Sequence, residues 1–434
     1  MSVLFEHVTA VTMDEERRIL KDAYVAVEGT RIASVGTQRP QGAFDRVIDG
    51  AGKVLMPGFV NAHTHLPMTL MRGYGGGCDL HTWLNQYIFP AEARLDSRAV
   101  AAGAGLGLAE MIASGVTCVA DMYMHTGTIA EQILEAGISA NLSCGGVYFG
   151  APEDFSPETC GDCRNQAALT EEWHGAGAGQ ILVDASVHGE YTSNPPLWRW
   201  MAEYAAEHRL GMHVHVSETQ SEHQASLERW GKTPIQALDG CGVWDCGRSL
   251  AAHCVYTTEE DWALMAEKGI SCVHNPWSNL KLGSGVAPIP AMMRAGVNVA
   301  LGTDGMSSHN SADLFSDIKL AAVLHNGVER DPMAVNAWAA LEMATVNGAR
   351  ALGRDTGVIA PGKTADLILV DLSAPNLIPC HDPVEDLVFS AHGSNVEMNM
   401  ARGQVIYEKG SFLTLDLERV RWEVEHYALP LIFG

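Results

Sequence analysis

Two histidines one residue apart, His63 and His65, end the apolar segment "GFVNAHTH" and are the first residues whose types suggest chemistry. Residues i and i+2 of a strand point to the same face, so this spacing places two imidazoles side by side. Two adjacent imidazoles supply half of a typical metal site, but histidines at strand ends also serve packing and hydrogen bonding. The pair alone therefore leaves a metal site and a structural role both open.

Further imidazoles and carboxylates end other short apolar segments of the chain. After "GFVNAHTH" come seven more such segments: "GVTCVADM", "ANLSCGGVYF", "ILVDASVHG", "GMHVHVSET", "SLAAHCV", "ISCVHNP" and "NVALGTD". The polar residues at these ends are His63, His65, His188, His213, His215, Glu218, His253, His274 and Asp304. Scattered core histidines would have no reason to recur at this position. We therefore predict that these side chains converge and that His63 and His65 bind a metal.

The elements that position these residues follow an alternating pattern of strands and helices. Eight strand-like segments separated by helical patterns are the number that closes a parallel (β/α)8 TIM-type barrel, whose chemistry lies at the carboxyl ends of its strands. A doubly wound sheet would normally show a G-x-G-x-x-G loop, which is missing. Strand-like segments recur at both chain ends. The fold class is thus α/β: a barrel over 58–360 and a small β-sandwich built from 1–57 and 361–434.

The amino-acid composition and net charge of the chain indicate which kinds of molecule it binds. The chain has 434 residues, of which 47% are hydrophobic and 18% are charged, and these proportions are typical of a large folded enzyme. A formal net charge of -24 disfavours nucleic acid and anionic membranes, which attract basic patches. Ten dispersed cysteines fit reduced thiols, and the N-terminal segment lacks a signal-peptide pattern. We expect a cytoplasmic protein that acts on a small-molecule substrate, without nucleic acid or membrane.

The polar residues suggest a mononuclear metal site. Catalytic zinc takes about three protein ligands and keeps a position for water, and His63, His65, His215 and Asp304 supply suitable nitrogens and oxygen. His213 shares a strand face with His215, but the strand-end position near Glu218 favours His215. The fourth segment has no lysine to bridge two ions, so we expect one divalent ion per subunit. Zinc is the first expectation, while Fe²⁺ and Mn²⁺ accept the same ligands.

Seven ordered blocks carry a family resemblance: "PGFVNAHTHLPMTLMRGY", "TWLNQYIFPAEARL", "GVTCVADMY", "HVHVSET", "AAHCV", "VHNPWSNLKLGSGVAP" and "NVALGTDG". In these blocks the chain resembles the amidohydrolase superfamily, and within it the S-adenosylhomocysteine/5′-methylthioadenosine deaminase group. The resemblance spans essentially the whole chain. It implies hydrolytic deamination of an adenine nucleoside by a metal-dependent enzyme, and a homo-oligomeric assembly.

The resemblance also implies roles for individual residues. His63, His65, His215 and Asp304 would be metal ligands, Glu218 a proton shuttle, and His253 the group that orients the attacking water. Asp304 would also accept the water proton. For the substrate, the implied contacts are Trp83 against the sugar or a thioether, Glu92 on two ribose hydroxyls, and His188, Glu218 and Ser308 near the base.

The sequence departs from this group where S-adenosylhomocysteine would bind. Cys144 stands where an arginine is expected, and only Arg164 offers a second basic residue nearby. The pair Gly189-Glu190 adds a negative charge after His188. Because an amino-acid carboxylate usually needs a guanidinium partner, we expect 5′-methylthioadenosine, adenosine or 5′-deoxyadenosine to be better substrates than S-adenosylhomocysteine.

Other interpretations remain open. The same fold could act on another amino-heterocycle, as a guanine, pterin or triazine deaminase or a chlorohydrolase, or could be a non-catalytic barrel with a relic metal site. Cys160, Cys163, Cys241 and Cys246 have tolerable spacing for a structural zinc. His188-Gly189-Glu190 also matches the His-x-Glu of cytidine-deaminase-type enzymes, but no Pro-Cys-x-x-Cys follows it, so we set this interpretation aside.

Overall fold

The computed structural model describes residues 2–434 and contains two nine-stranded sheets. The first strands are β1 (Ser2–Val11), β2 (Ile19–Glu28), β3 (Arg31–Gly36), β4 (Arg46–Asp49) and β5 (Lys53–Pro57). The middle strands are β6 (Phe59–His65), β7 (Val116–Met122), β8 (Ser139–Ser143), β9 (Ile181–Gly189), β10 (Gly211–Val216), β11 (Ser249–His253), β12 (Ile270–His274), β13 (Val299–Leu301) and β14 (Asp304–Gly305). The last strands are β15 (Leu367–Asp371), β16 (Val396–Ala401), β17 (Gln404–Glu408) and β18 (Ser411–Phe412).

Helices lie between and after these strands. The first nine are α1 (Leu80–Trp83), α2 (Phe89–Glu92), α3 (Ser97–Ala113), α4 (Thr126–Ala136), α5 (Gly161–Trp173), α6 (Ala176–Gly179), α7 (Pro195–His208), α8 (Gln220–Trp230) and α9 (Pro234–Asp239). The others are α10 (Glu259–Lys268), α11 (Pro276–Lys281), α12 (Ile289–Arg294), α13 (Leu314–Glu329), α14 (Ala337–Ala344), α15 (Val346–Leu352), α16 (Pro383–Phe389), α17 (Leu417–Glu423) and α18 (Leu429–Phe433). Within residues 2–434, no helix combines the length and apolarity needed to cross a membrane.

The middle strands form one parallel sheet in the order β13-β12-β11-β10-β9-β8-β7-β6-β14. All eight predicted segments lie in this sheet, and the eighth, "NVALGTD", is divided into β13 and β14. β13 pairs with β12 through Leu301 opposite His274, while β14 pairs with β6 through Asp304 opposite Thr64. β6, β7 and β10 to β13 are almost wholly buried, as expected of parallel strands with helices packed outside. The sheet brings their carboxyl ends to one edge.

The two chain ends build the other sheet together, as the strand-like segments predicted. β15 runs antiparallel to β5 with Leu369 opposite Leu55, and β5 runs parallel to the distal half of β1. β4 pairs with the first half of β1, so this mixed sheet branches there. The tail also contains helices that the sequence interpretation did not include. One of them, α17, packs against α3 through Val420 beside Gly105.

Helix α3 holds the segment after His65 against the sheet. Asp96 caps its first turn by accepting a hydrogen bond from Ala99 N. A Cβ at Gly103 would lie 2.7 Å from the Pro67 carbonyl oxygen. The helix therefore approaches the backbone of the turn Leu66–Met71 more closely than alanine permits. This contact fixes the chain directly after the first two histidines, where β6 ends.

Candidate metal and catalytic site

The predicted site residues surround one cavity at the carboxyl ends of β6 to β14. The cavity has a volume of about 430 Å³. Nine of the ten predicted site residues line it: His65, Trp83, Glu92, His188, His215, Glu218, His253, Asp304 and Ser308. The tenth, His63, is fully buried directly beneath.

Three imidazoles and a carboxylate converge at the base of the cavity. Asp304 Oδ1 lies 3.3 Å from His63 Nε2 and 3.2 Å from His65 Nε2. His215 Nε2 lies 3.3 Å from His65 Nε2, which brings β10 to the same point. Four ligating atoms so close together, from the first, fifth and last segments of the sheet, are the donor set that zinc prefers.

The Nδ1 atoms of His65 and His215 form hydrogen bonds with backbone carbonyl oxygens on the side away from Asp304. His65 Nδ1 donates to the Met122 carbonyl oxygen at 2.5 Å, and His215 Nδ1 donates to the His188 carbonyl oxygen at 2.6 Å. Each of these bonds fixes the tautomer, because a ring that donates through Nδ1 keeps its Nε2 lone pair free. The Nε2 of His65 faces Asp304 Oδ1, and the Nε2 of His215 faces the Nε2 of His65. Outer contacts of this kind orient metal ligands.

A bound cation fits the polar atoms at this point. His63 Nε2 is buried and has no hydrogen-bond partner. Burial lowers the pKa of His63 well below its usual value, and burial also opposes ionisation of Asp304. The nearby imidazoles of His63 and His65 nevertheless hold the pKa of Asp304 well below its usual range. Burial lowers the pKa of His65, but the Asp304 carboxylate raises it to about 9, so the carboxylate favours positive charge beside it.

Asp304 is further held by two hydroxyl groups. Ser278 Oγ donates to Asp304 Oδ2 at 2.6 Å, and Ser308 Oγ donates to the same oxygen at 2.8 Å. Oδ1 therefore faces the histidines while Oδ2 is occupied. The sequence analysis did not identify Ser278. Ser308, which was predicted to contact the base, donates hydrogen bonds to this carboxylate and to the Gly305 carbonyl oxygen. A role of Ser308 in substrate binding stays a prediction.

Glu218 and His253 face each other beside the ligands. His253 Nε2 lies 3.8 Å from Glu218 Oε2, and His253 Nδ1 lies 2.8 Å from Asn279 Oδ1. Ser284 Oγ lies 3.5 Å from Glu218 Oε1. Burial raises the pKa of Glu218, because low-dielectric surroundings disfavour the charged carboxylate. The pair is therefore placed to donate and accept protons above the predicted metal ligands.

Glu92 is a polar residue of another part of the cavity wall, which we call the opposite wall and which also contains Trp83. Its Oε1 accepts a hydrogen bond of 2.6 Å from Tyr123 Oη, and burial raises its pKa. Trp83 lies nearby, buried, with its indole N–H donating to the Tyr74 carbonyl oxygen at 3.2 Å. Trp83 therefore presents an apolar ring to the cavity. Tyr123 was missed because nothing in the sequence links the end of β7 to α2.

His188 lies on the cavity wall but outside the ligand group. Its Nδ1 lies 3.1 Å from Thr192 Oγ1, and burial lowers its pKa to about 4, so the ring is neutral at pH 7. A neutral imidazole can donate one hydrogen bond to a nucleobase or accept one from it. Contact between His188 and substrate stays a prediction.

Several residues singled out in the sequence lie elsewhere. His213 Nε2 is 2.9 Å from His63 Nδ1, deeper in the sheet, and His274 is turned to the helix layer, 3.0 Å from His325 Nε2. Glu190 is paired with Arg229 at 2.8 Å and does not line the cavity. Arg164 donates to the Glu158 carbonyl oxygen instead of reaching the cavity. The negative charge of Glu190 and the positive charge of Arg164 therefore both lie outside the cavity, where we had expected them to line it.

The cysteine pairs show no metal geometry. Within residues 2–434, each group of side chains close enough to hold a metal contains only histidine and aspartate. Cys160 and Cys163 bracket the start of α5, whereas Cys241 and Cys246 lie in the loop before β11. The structural-zinc alternative is therefore unsupported by the arrangement of these thiols.

Comparison with known proteins places this site in a family. The sequence profile of the "Amidohydrolase family" matches residues 54–406. A 5-methylthioadenosine/S-adenosylhomocysteine deaminase of Caldanaerobacter subterraneus subsp. tengcongensis is 41% identical, covering 100% of this chain and 99% of its own. A 5'-deoxyadenosine deaminase of Methanosarcina mazei is 38% identical over 99% of this chain and 98% of its own. The crystal structure of an adenosine deaminase from Xanthomonas campestris with bound zinc superposes with a TM-score of 0.92 at 32% identity, covering 99% and 98% of the two chains.

Proposed function

Because the chain belongs to the amidohydrolase family, we propose that it is a metal-dependent hydrolase that deaminates adenine nucleosides. The products are ammonia and the inosine analogue. The observation that carries the proposal is the convergence of His63, His65, His215 and Asp304 beside a protonatable glutamate in one cavity. Relatives named as deaminases of 5-methylthioadenosine, S-adenosylhomocysteine and 5'-deoxyadenosine, together with the zinc-bound adenosine deaminase, support the adenine nucleoside as substrate class.

We assign one divalent ion, zinc first, to the four ligands. When bound, such an ion supplies hydroxide from water near neutral pH by lowering the pKa of water from about 15.7 toward 7. The side chains then distribute protons. Asp304 takes the proton that water loses, and His253, held by Asn279, orients the oxygen toward C6 of the adenine ring. Glu218 donates a proton to the ring nitrogen N1 and regains one from the new C6 hydroxyl, while the proton held by Asp304 passes to the amino group, which leaves as ammonia.

The nucleoside is held by the opposite wall. We assign Glu92 to the vicinal ribose hydroxyls, because a carboxylate has two oxygens and only one of them is occupied by Tyr123. Trp83 packs against the sugar or its 5′ substituent, and His188 contacts the base. Each of these assignments rests on the position of the side chain around the cavity.

The charges around the cavity favour a neutral 5′ substituent. None of the cavity-lining side chains, all within residues 2–434, is lysine or arginine, whereas Glu92, Asp162, Glu218 and Asp304 are acidic. Apolar residues such as Leu80, Leu84 and Phe149 complete the wall. The carboxylate of S-adenosylhomocysteine would enter without a cationic partner. We therefore rank 5′-methylthioadenosine, adenosine and 5′-deoxyadenosine above it.

We also infer that the central sheet closes into a (β/α)8 barrel. β13 and β14 are separated by two residues. β13 pairs with β12 and β14 pairs with β6, so the two short strands together take the place of the eighth strand of a barrel. For the terminal sheet, the branching at β1 supports the predicted sandwich, because one strand then contributes to two layers. The domain boundaries 1–57, 58–360 and 361–434, a homo-oligomeric state and a cytoplasmic location stay predictions.

The test is ammonia release by the zinc-loaded protein from six compounds assayed side by side. These are 5′-methylthioadenosine, adenosine, 5′-deoxyadenosine, S-adenosylhomocysteine, guanine and a pterin. We expect the three neutral nucleosides to give the highest kcat/KM, with S-adenosylhomocysteine at least about tenfold lower, the effect of one unpaired charged hydrogen bond. Activity confined to guanine or the pterin would contradict the substrate class. A preference for S-adenosylhomocysteine would contradict only the ranking.

A further inference from the structure

Glu222, which has no part in the chemistry proposed above, is a buried carboxyl directly behind Glu218. It lies in the first turn of α8 and is 6% exposed. Its Oε1 accepts the backbone N–H of Ser217 at 2.7 Å, and its Oε2 accepts the backbone N–H of Glu218 at 2.7 Å. It makes no ion pair with any residue in the 2–434 range. Both oxygens are thus used on the two residues that follow β10.

The backbone at this point needs support. Ser217 has a positive φ of 50°. This value lies in the left-handed region, which a residue with a side chain adopts at a cost. The carbonyl oxygen of Ser217 accepts the Tyr256 N–H at 2.9 Å, which links this turn to the residues after His253. Two carboxylate bonds and one backbone bond therefore determine where the chain turns after His215 and where the Glu218 side chain begins.

These contacts differ from those of an ordinary helix cap. In a capping box the glutamate at the third helical position bonds to the backbone N–H of the capping residue itself. Here Thr219 is the cap, and its Oγ1 accepts the Glu222 N–H at 3.2 Å. The carboxyl of Glu222 reaches one and two residues further back, to Glu218 and Ser217. Capping and support of Glu218 can therefore be separated by substitution.

We propose that Glu222 is a positioning residue for Glu218, holding its backbone so that its carboxyl faces His253 and the adenine ring. This inference rests on the role proposed for Glu218. In Glu222→Gln the amide offers one acceptor and one donor to two N–H groups, so one bond is lost and Glu218 is displaced. A displacement of about 1 Å from a reacting atom can cost about a hundredfold in rate.

The experiment compares Glu222→Gln with two controls in the zinc-loaded protein. Glu228→Gln makes the same chemical change on an exposed position of α8. Thr219→Val removes the cap bond but leaves the Glu222 carboxyl in place. The readouts are kcat and KM for adenosine or 5′-methylthioadenosine, zinc content, and a crystal structure of each variant.

We expect Glu222→Gln to lower kcat about ten- to hundredfold, with KM within about twofold, full zinc content and a displaced Glu218 carboxyl. Both controls should keep the wild-type kcat. The inference is overturned if Glu222→Gln leaves the Glu218 carboxyl in its wild-type position, or if Thr219→Val lowers kcat equally. If Glu222→Gln is insoluble, Glu222→Asp, which shortens the side chain by one methylene, is measured by the same criteria.

Failure of the proposed function would look different. In that case the wild type and Glu228→Gln would release no ammonia from any nucleoside. The crystal structures would still decide the inference, because an unmoved Glu218 in Glu222→Gln contradicts it and a displaced Glu218 supports it, whichever substrate the site takes.

Discussion

Glu92 offers the sharpest test of how the cavity selects its substrate. One of its oxygens is held by Tyr123, and burial raises its pKa. If the carboxylate binds the ribose diol, two charge-assisted hydrogen bonds are at stake, each worth about 1.5–3 kcal/mol. In Glu92→Gln the amide oxygen can still accept from Tyr123 and one hydroxyl, so about one such bond is lost. The expected fall in kcat/KM for nucleosides is about ten- to hundredfold.

The assay separates the ribose from the base. Ammonia release is measured for adenosine, for 2′,3′-dideoxyadenosine, which lacks the diol, and for free adenine, in the wild type and in Glu92→Gln. The substitution should cost little on the last two substrates, because neither uses the carboxylate. Tyr123→Phe is the matched control, since it leaves the carboxylate and both of its bonds to the diol intact and should therefore cost less on adenosine than Glu92→Gln does. Equal losses on adenosine and adenine would refute the assignment.

The raised pKa of Glu92 also predicts how kcat/KM for adenosine depends on pH. The ionised form binds the diol, so kcat/KM for adenosine should be complete above the pKa of Glu92 and decline as the pH falls through it. Because burial raises this pKa, the decline should begin at a higher pH than for an exposed glutamate. The Glu92→Gln variant should lack this decline. An unchanged acid limb in the variant would assign that limb to another group.

Three further predictions concern the metal, the proton shuttle and the core. Glu218→Gln should lower kcat about a hundredfold or more while zinc content stays at the wild-type level, and normal turnover would remove its role. Dialysis against a chelator should abolish ammonia release and lower the Tm, with both restored by zinc, whereas an unchanged Tm would contradict the ligand set. The Phe315 ring packs edge-on against Phe59 in the core, with 4.8 Å between the ring centroids. Phe315→Ala should therefore destabilise the fold by about 3–5 kcal/mol, seen as a lower Tm, and an unchanged Tm would contradict this.

The strands were predictable because their signals are local. Short apolar segments bounded by turns gave all eight segments of the central sheet, and the same pattern at the chain ends gave the strands of the terminal sheet. The helices of the tail were not anticipated. The segment 417–433 is short, and the packing of α17 against α3 is a tertiary contact that no local sequence pattern indicates.

For the site, sequence position indicated which strand ends carry polar groups but not which way every group faces. β12 is buried on both faces, so alternation gives no sign that His274 turns outward to His325. His213 and His215 share a face, and only their depth in the sheet distinguishes His215, the predicted ligand, from His213, which contacts His63 from below. Tyr123, Ser278 and Glu222 act across long loops or backward along the chain. Such contacts become visible only once the strand ends are brought together.

The division of the last strand into β13 and β14 has a mechanical consequence. A Cβ at Gly302, between the two segments, would lie 2.8 Å from the carbonyl oxygen of His63. Only glycine therefore lets the chain pass this close to β6 on its way from β13 to β14. Two residues later, Asp304 of β14 meets the two histidines of β6. The proposed ligands thus lie on both sides of the seam between β6 and β14, and any ion held there fastens these two strands together. Metal affinity and resistance of the sheet to opening along that seam should then rise and fall together.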